Sequence, residues 1–434
     1  MSNELIGVLG IVALFALLLA RIPVAFAIFA VGFVGVSILD STSSALNLLA
    51  SETFTVASNA ELIVIPLFIL MGNVATETGM SRRLYDAAYA LIGSIRGGLA
   101  SATVVGCAGF SALCGSSVAS ALTMGRVSLS EMDRYQYSAK LSTGAVAAGG
   151  TLGILIPPST GFVIYAILTQ QSIGRLFLAG VVPGILLSVL FVLLITVLAT
   201  LRPALAPKGP STNLEEKLRG LGGAIPILVV ILVTIGGIYT GIFSPVEAAA
   251  VGAGLVILYG AVTRQLGWRA LWRASQNAIL TTATVMLILI AAHLLNPFLA
   301  LSHIPRTFGE FLVGLNLGAY GTLIIILLCY LVLGCFLEGF AMLVLTMPIF
   351  FPVIMALGFD PIWFGVLVVL TLEMGLISPP VGVNVFIVKS VAPGVALKDI
   401  FLGVMPFWLV MILAVAVLVA VPDLVLFLPN TMMN

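Results

Sequence analysis

Long apolar runs, each bounded by a short polar or charged segment, recur along the whole chain. A helix that crosses a bilayer needs about 20 predominantly apolar residues. On that length the pattern predicts crossings at 5–20, 24–39, 62–78, 144–169, 176–200, 224–242, 247–262, 278–301, 362–391 and 401–428. Two further apolar stretches, about 99–124 and 319–352, are interrupted by Gly, Ser or Pro. Each is too long for one span and poorly divided for two. They read as re-entrant hairpins that enter the membrane and return to the same face. The expected fold is therefore an all-α polytopic membrane protein with about ten or eleven transmembrane helices plus two re-entrant hairpins.

Composition agrees with lipid as the solvent. Of 434 residues, 61% are hydrophobic and 8% charged, against roughly a quarter charged in soluble domains. A net charge of +1 leaves no electrostatic footprint for nucleic acid. Residues 5–20 follow Glu4 and no basic residue, so they read as a retained span rather than a cleaved signal. The four cysteines form no CxxC pair and lie far from His293 and His303, so they read as small buried side chains. HExxH, GxSxG and Walker A patterns are missing from the sequence, which argues against an enzyme and against ATP hydrolysis by this chain.

Charge placement tests the hairpins. With both non-crossing, Arg21, Arg82, Arg83, Arg96, Arg126, Arg134 and Lys140 share a face with Arg202, Lys208, Lys217, Arg219, Arg264, Arg269, Arg273, Lys389 and Lys398. Only Arg175 and Arg306 fall opposite, beside Asp40, Glu52, Asp360 and Asp423. The basic face is cytoplasmic by the positive-inside rule, and both termini then face out.

The chain also repeats itself. Pro-Pro occurs at 157–158 and 379–380, within GILIPPSTGFVI (153–164) and GLISPPVGVNVF (375–386), a spacing of 222. Cys107 and Cys329 keep that spacing, as do Ala119 and Ala341, and FLAGVVP at 177–183 is echoed by FLGVMP at 401–406. Four crossings between the two Pro-Pro segments make them run in opposite directions. The expected organisation is a first repeat at 1–200, a cytoplasmic linker at 201–222 and an inverted second repeat at 223–434.

Paired prolines force an unwound stretch and free backbone carbonyls at mid-membrane, tolerated only where the backbone lines a cavity or is buried in protein. Freed carbonyls and Ser/Thr hydroxyls are hard oxygen donors suited to an alkali cation, and the half-helix N-termini beyond the breaks favour an anionic group. In the first half the candidates are Ser116 and Ser117 at the tip CGSSVAS, Gly149, Gly150 and Thr151 before the break, Pro157 and Pro158 within it, and Ser159 and Thr160 after it. In the second half they are Gly334, Glu338 and Gly339 at the tip LGCFLEGFAM, Thr371, Gly375 and Ser378 before the break, Pro379 and Pro380 within it, and Asn384 after it. Carboxylates are costly inside a membrane. Glu338 and Glu373 therefore suggest cation ligation or backbone capping ahead of proton coupling. Glu61 and Glu247 read as charges at helix starts.

At these residues the chain resembles the large membrane subunit, DctM-like, of tripartite ATP-independent periplasmic (TRAP) transporters, within the ion transporter superfamily. RIPVAFA (21–27), IPLFILMGN (65–73), CGSSVA (114–119), LGILIPPS (152–159) and EMGLISPPVGVN (373–384) carry the resemblance, which covers nearly the whole chain. It implies an elevator-type fold, with a scaffold part and a moving transport part, driven by sodium as coupling ion and without other cofactors. It implies one sodium site per half: Ser116, Ser117, Gly149, Gly150 and Pro157 in the first, and Gly339, Thr371, Gly375 and Pro379 in the second. Solute would lie between them, near Ser159, Thr160 and Asn384. The implied partners are a soluble periplasmic substrate-binding protein and a small four-helix membrane subunit, here expected as a separate chain. The implied solute is a small organic anion such as a C4-dicarboxylate, a sialic acid or a sulfonate. The implied location is a bacterial or archaeal cytoplasmic (inner) membrane. The alternative is a stand-alone sodium/anion symporter of the same superfamily, without a binding protein.

Overall fold

The computed structural model describes residues 2–209 and 213–432, and among these every named element is a helix. The first half opens with α1 (Asn3–Leu19), α2 (Val24–Leu39) and α3 (Thr42–Ser58). Next come α4 (Val64–Glu77) and α5 (Met80–Ile92). A hairpin follows, formed by α6 (Gly98–Cys114) and α7 (Ser117–Arg134). A broken helix, α8 (Ala139–Leu155) and α9 (Thr160–Thr169), then leads into the long α10 (Ile173–Leu201).

The second half opens with α11 (Leu214–Tyr239), α12 (Pro245–Val262), α13 (Trp268–Leu301) and α14 (Ile304–Gly314). Its hairpin is α15 (Gly318–Gly334) and α16 (Gly339–Ala356), and its broken helix is α17 (Pro361–Leu376) and α18 (Val383–Val391). It ends with α19 (Leu397–Ala420) and α20 (Asp423–Thr431).

Element boundaries recur with one offset. Helix α16 starts 222 residues after α7 (339 less 117) and ends 222 after it (356 less 134). Helix α17 starts 222 after α8 (361 less 139), and Pro183 in α10 is echoed by Pro406 in α19.

Contacts between residues distant in the sequence gather the loops into two sets. On one side Arg96 forms a backbone bridge with Lys208, Ser138 N donates to Leu205 O, Lys140 pairs with Asp399, and Arg273 pairs with Glu77. Arg83 lies 5.6 Å from the centre of the Tyr259 ring in the same region. On the other side Asn3 meets Leu301, Arg175 meets Asn430, Tyr239 meets Thr431, and the Tyr165 hydroxyl donates to Pro361 O. Helices α10 to α13 therefore each run from one set to the other. The two hairpins start and end in opposite sets, so they point at each other from the two faces.

Three parts of the hydrophobic pattern read differently in three dimensions. Helices α3, α5 and α14 were not expected, because polar residues such as Arg82, Arg83 and Asp86 hide a one-sided apolar face. The expected linker 201–222 is shorter than drawn: α11 begins at Leu214, set by a capping box in which Asn213 and Glu216 satisfy each other's backbone N–H. Residues 210–212 of that linker lie outside the described residues. The expected span 401–428 divides at Pro422 into α19 and α20.

Among the described residues seven helices are individually long and apolar enough to cross a bilayer, or eight if α8 and α9 count as one span bent by 40°. Helices α1, α2, α6, α15 and α17 are apolar but only 16 or 17 residues long, about 25 Å at 1.5 Å per residue. On α10, Ile185, Val189, Leu193, Val197 and Leu201 are exposed at four-residue spacing, an apolar stripe fit to face lipid. Glu247 closes a capping box with Ser244 at the start of α12, the helix-start role its position suggests.

Candidate solute and cation site at the hairpin tips

The first hairpin turns through two residues. Gly115 takes a φ of +60°, which glycine adopts without steric cost, and Ser116 starts α7 by accepting from Ala119 N through its hydroxyl. This tip is fastened to the first Pro-Pro break. The Thr160 hydroxyl donates to Gly115 O at 2.8 Å, and a Cβ on Gly115 would stand 2.6 Å from Pro158 O. Gly153 lets α8 lie against the tip, since a Cβ there would stand 2.7 Å from Ser117 Cα. Gly150 packs on Ala121 and Gly149 on Cys107, about one turn further from the tip. The Ser159 hydroxyl donates to Ile154 O and accepts from Phe162 N, capping α9. Thr151 donates to Ala148 O at 2.6 Å. Pro157, Pro158, Ser159 and Thr160 are all buried.

The second hairpin turns through four residues, 335–338. Glu338 stands at the N-cap of α16, where Ser116 stands on α7, but its side chain makes no capping hydrogen bond and is exposed. The hairpin touches its broken helix one element earlier, at Gly334. A Cβ on Gly375 would stand 2.6 Å from Gly334 Cα, and one on Gly339 would stand 2.8 Å from the Leu372 side chain. The Thr371 hydroxyl donates to Leu367 O at 2.8 Å. Ser378 donates to Met374 O and accepts from Trp408 Nε1 at 2.8 Å, so α19 steadies the break. Pro379, Pro380 and Val381 are exposed, unlike their counterparts in the first half.

The candidate residues of each half are thus brought together as a hairpin tip against a broken helix. Each junction sets two helix C-ends, with their free carbonyls, beside two helix N-ends, with their free N–H groups. The hydroxyls of Thr151, Ser159, Thr160, Thr371 and Ser378 already donate to backbone carbonyls; the three threonines keep both lone pairs for a cation, while Ser159 and Ser378 each have one engaged, by Phe162 N and Trp408 Nε1. Asn384 is different: it is fully buried at the start of α18, and both its amide oxygen and nitrogen lack a partner. It is the candidate with donor and acceptor both free for a polar solute.

Sequence reasoning left out Gly153, although Gly375 was named and the 222 offset relates the two. It also treated the halves separately, whereas the Ser117 hydroxyl of the first tip lies beside the fully buried Glu373 carboxyl of α17, without the geometry of a hydrogen bond. Beyond the tips, a cleft of about 780 Å³ lies between the far ends of α7, α8 and α18, with Arg126, Ser130, Ser142 and Ser390 on its wall.

Hairpins meeting broken helices inside an all-helical membrane protein mark the architecture of a membrane transporter. The match is specific: residues 11–424 fit the model of the tripartite ATP-independent periplasmic transporter, DctM component. The chain belongs to that family and is a transporter permease, not an enzyme. It is 36% identical to the C4-dicarboxylate TRAP transporter large permease protein of Pseudomonas aeruginosa, over 91% of this chain and 92% of that one. It is 33% identical to the ectoine TRAP transporter large permease protein of Halomonas elongata, over 85% and 86%. It is 29% identical to the sialic acid TRAP transporter large permease protein of Vibrio cholerae, over 99% and 98%. Among solved structures the Alcanivorax borkumensis YdaH transporter shares the fold, with a TM-score of 0.62 at 16% identity over 88% of each chain.

Proposed function

We propose that this permease drives uptake of a small organic anion with a sodium gradient, by an elevator motion of the hairpins and broken helices against the remaining helices. The observation that supports this most directly is the pair of tip-and-break junctions, one in each half at the same offset. On this reading one sodium ion is held at the first junction by groups of Ser116, Ser117, Gly149, Gly150, Thr151 and Pro157. Another is held at the second by groups of Gly334, Glu338, Gly339, Thr371, Gly375 and Pro379. The anion lies between them, against the helix N-ends at Pro158, Ser159, Thr160 and Pro380, with Asn384 as its polar contact. The cleft beside Arg126 serves as the cytoplasmic way out. A carboxylate, or a zwitterion of similar size, fits both the N-end electrostatics and the solutes in the relatives' names.

On the same reading a small membrane subunit, as a separate chain, braces the scaffold, and a soluble periplasmic protein delivers the solute. The setting is a prokaryotic cytoplasmic membrane, with the basic face inside. The test is uptake by proteoliposomes holding this chain and its small subunit, with a candidate organic acid and its cognate binding protein outside. Uptake that requires both an inward sodium gradient and the binding protein is the expected result. Uptake with sodium alone favours the stand-alone symporter, and uptake on a proton gradient alone overturns the sodium assignment.

A further inference from the structure

A sodium-driven carrier conserves its gradient only if the solute anion cannot load alone. One side chain is placed to impose that condition. Glu373 lies in the last turns of α17 with 0% of its surface exposed, and neither carboxyl oxygen has a hydrogen-bond partner. Among the described residues it forms no ion pair; the pairs that do form involve Lys140, Arg219, Arg273, His293 and Arg306. An ionised carboxylate in that position is strongly unfavourable without a positive partner. The polar group beside it is the Ser117 hydroxyl, which belongs to the first hairpin. Two residues to either side stand Thr371 and Gly375 of the second junction. Asn384, the free amide, follows across the Pro-Pro break, and α18, which carries it, packs along α7, the helix that begins at Ser117.

We propose that Glu373 is the coupling carboxylate of this transporter, neutralised by a monovalent cation that it shares with Ser117. The cation ties the occupancy of one half to that of the other. Without it the first tip and α17 share no ligand, and the solute site between the halves is not completed. This rests on the sodium-driven reading above and adds to it a reason why cation must precede anion.

The experiment is initial uptake by the full chain reconstituted with its small subunit, as a function of sodium concentration, with potassium chloride holding ionic strength constant. The wild type is expected to give a sigmoidal curve with a Hill coefficient near 2, and Glu373→Gln a curve flattened to about 1. The Gln variant should also accumulate roughly tenfold less solute at a fixed sodium gradient, because anion enters without the shared cation. Glu373→Asp, which keeps the charge, should restore the sigmoid. Ser117→Ala keeps the carboxylate and loses a cation ligand, so its half-saturating sodium concentration should rise about tenfold. If Glu373→Gln does not accumulate in the membrane, Ser117→Ala carries the test. An unchanged sodium curve in these variants overturns the coupling role while leaving sodium drive intact. A wild type indifferent to sodium removes the driving-ion reading, and the coupling role with it.

Discussion

The two hairpin junctions share a register and differ in how they are closed. At the first, a two-residue tip is fastened to the Pro-Pro break by the Thr160 hydroxyl, and every residue of the break from Pro157 to Thr160 is buried. At the second, a four-residue tip leaves Phe336 and Glu338 exposed, and Pro379 to Val381 are open. Equivalent residues explain the difference. Ser116 caps its helix where Glu338 does not, and Gly115, with its positive φ, stands where the second half has Leu337. Leu337 has a side chain to bury, so the second tip cannot lie flat on its break. The contrast teaches that a repeat conserves the crossing pattern more strictly than the closure of each copy. One junction is buried and fastened by a hydrogen bond; the other is exposed and lacks that fastening.

Four comparisons would break or sharpen that contrast. The largest effect is expected from Gly115→Val, which forces a branched side chain into a positive φ and against Pro158 O. Uptake in proteoliposomes should fall on the order of 100-fold, whereas Leu337→Ala at the same offset should stay within about threefold. Equal losses would dissolve the distinction between a fastened and an open junction. Next come the paired glycines: Gly153→Ala and Gly375→Ala should each destabilise the purified protein by about 2 kcal/mol, read as a lower thermal midpoint. A difference between them would show that one junction yields where the other does not.

The exposed and buried breaks can be compared directly with thiols. Val381 is 37% exposed and its counterpart Ser159 is 1% exposed. In a background lacking Cys107, Cys114, Cys329 and Cys335, Val381→Cys should react with a hydrophilic maleimide at least about tenfold faster than Ser159→Cys. Similar rates would mean the first break opens as readily as the second. The smallest effect is expected from Thr160→Val, which removes the fastening hydrogen bond at a cost of about 1 kcal/mol, roughly fivefold in the opening equilibrium. The same labelling assay reads it, as faster modification of Ser159→Cys in the Thr160→Val background.

Much of this architecture was legible along the chain because lipid imposes a strong rule: backbone polar groups must be satisfied within helices, so apolar runs mark helices and Pro-Pro marks where they break. The repeated Pro-Pro segments therefore pointed to both junctions, and the 222 offset later held for whole helices. Where polar and apolar residues alternate around a helix, as in α5 with Arg82, Arg83 and Asp86, a hydropathy reading sees a loop. Gly153 was missed for a different reason. In an apolar stretch rich in glycine, nothing local distinguishes the one that touches a hairpin tip from those that only permit helix packing.

The sequence by itself determined that the chain is a membrane protein, that it repeats, and where each half is broken, because these follow from solvent and backbone chemistry acting on neighbouring residues. Only the tertiary structure decided that the Ser117 hydroxyl faces Glu373 from the opposite half, that Thr160 closes one junction, and that Asn384 is left with its amide free. Those depend on which surfaces meet after the helices pack, and residues some 250 positions apart, as Ser117 and Glu373 are, leave no periodic trace of their contact in the order of the chain.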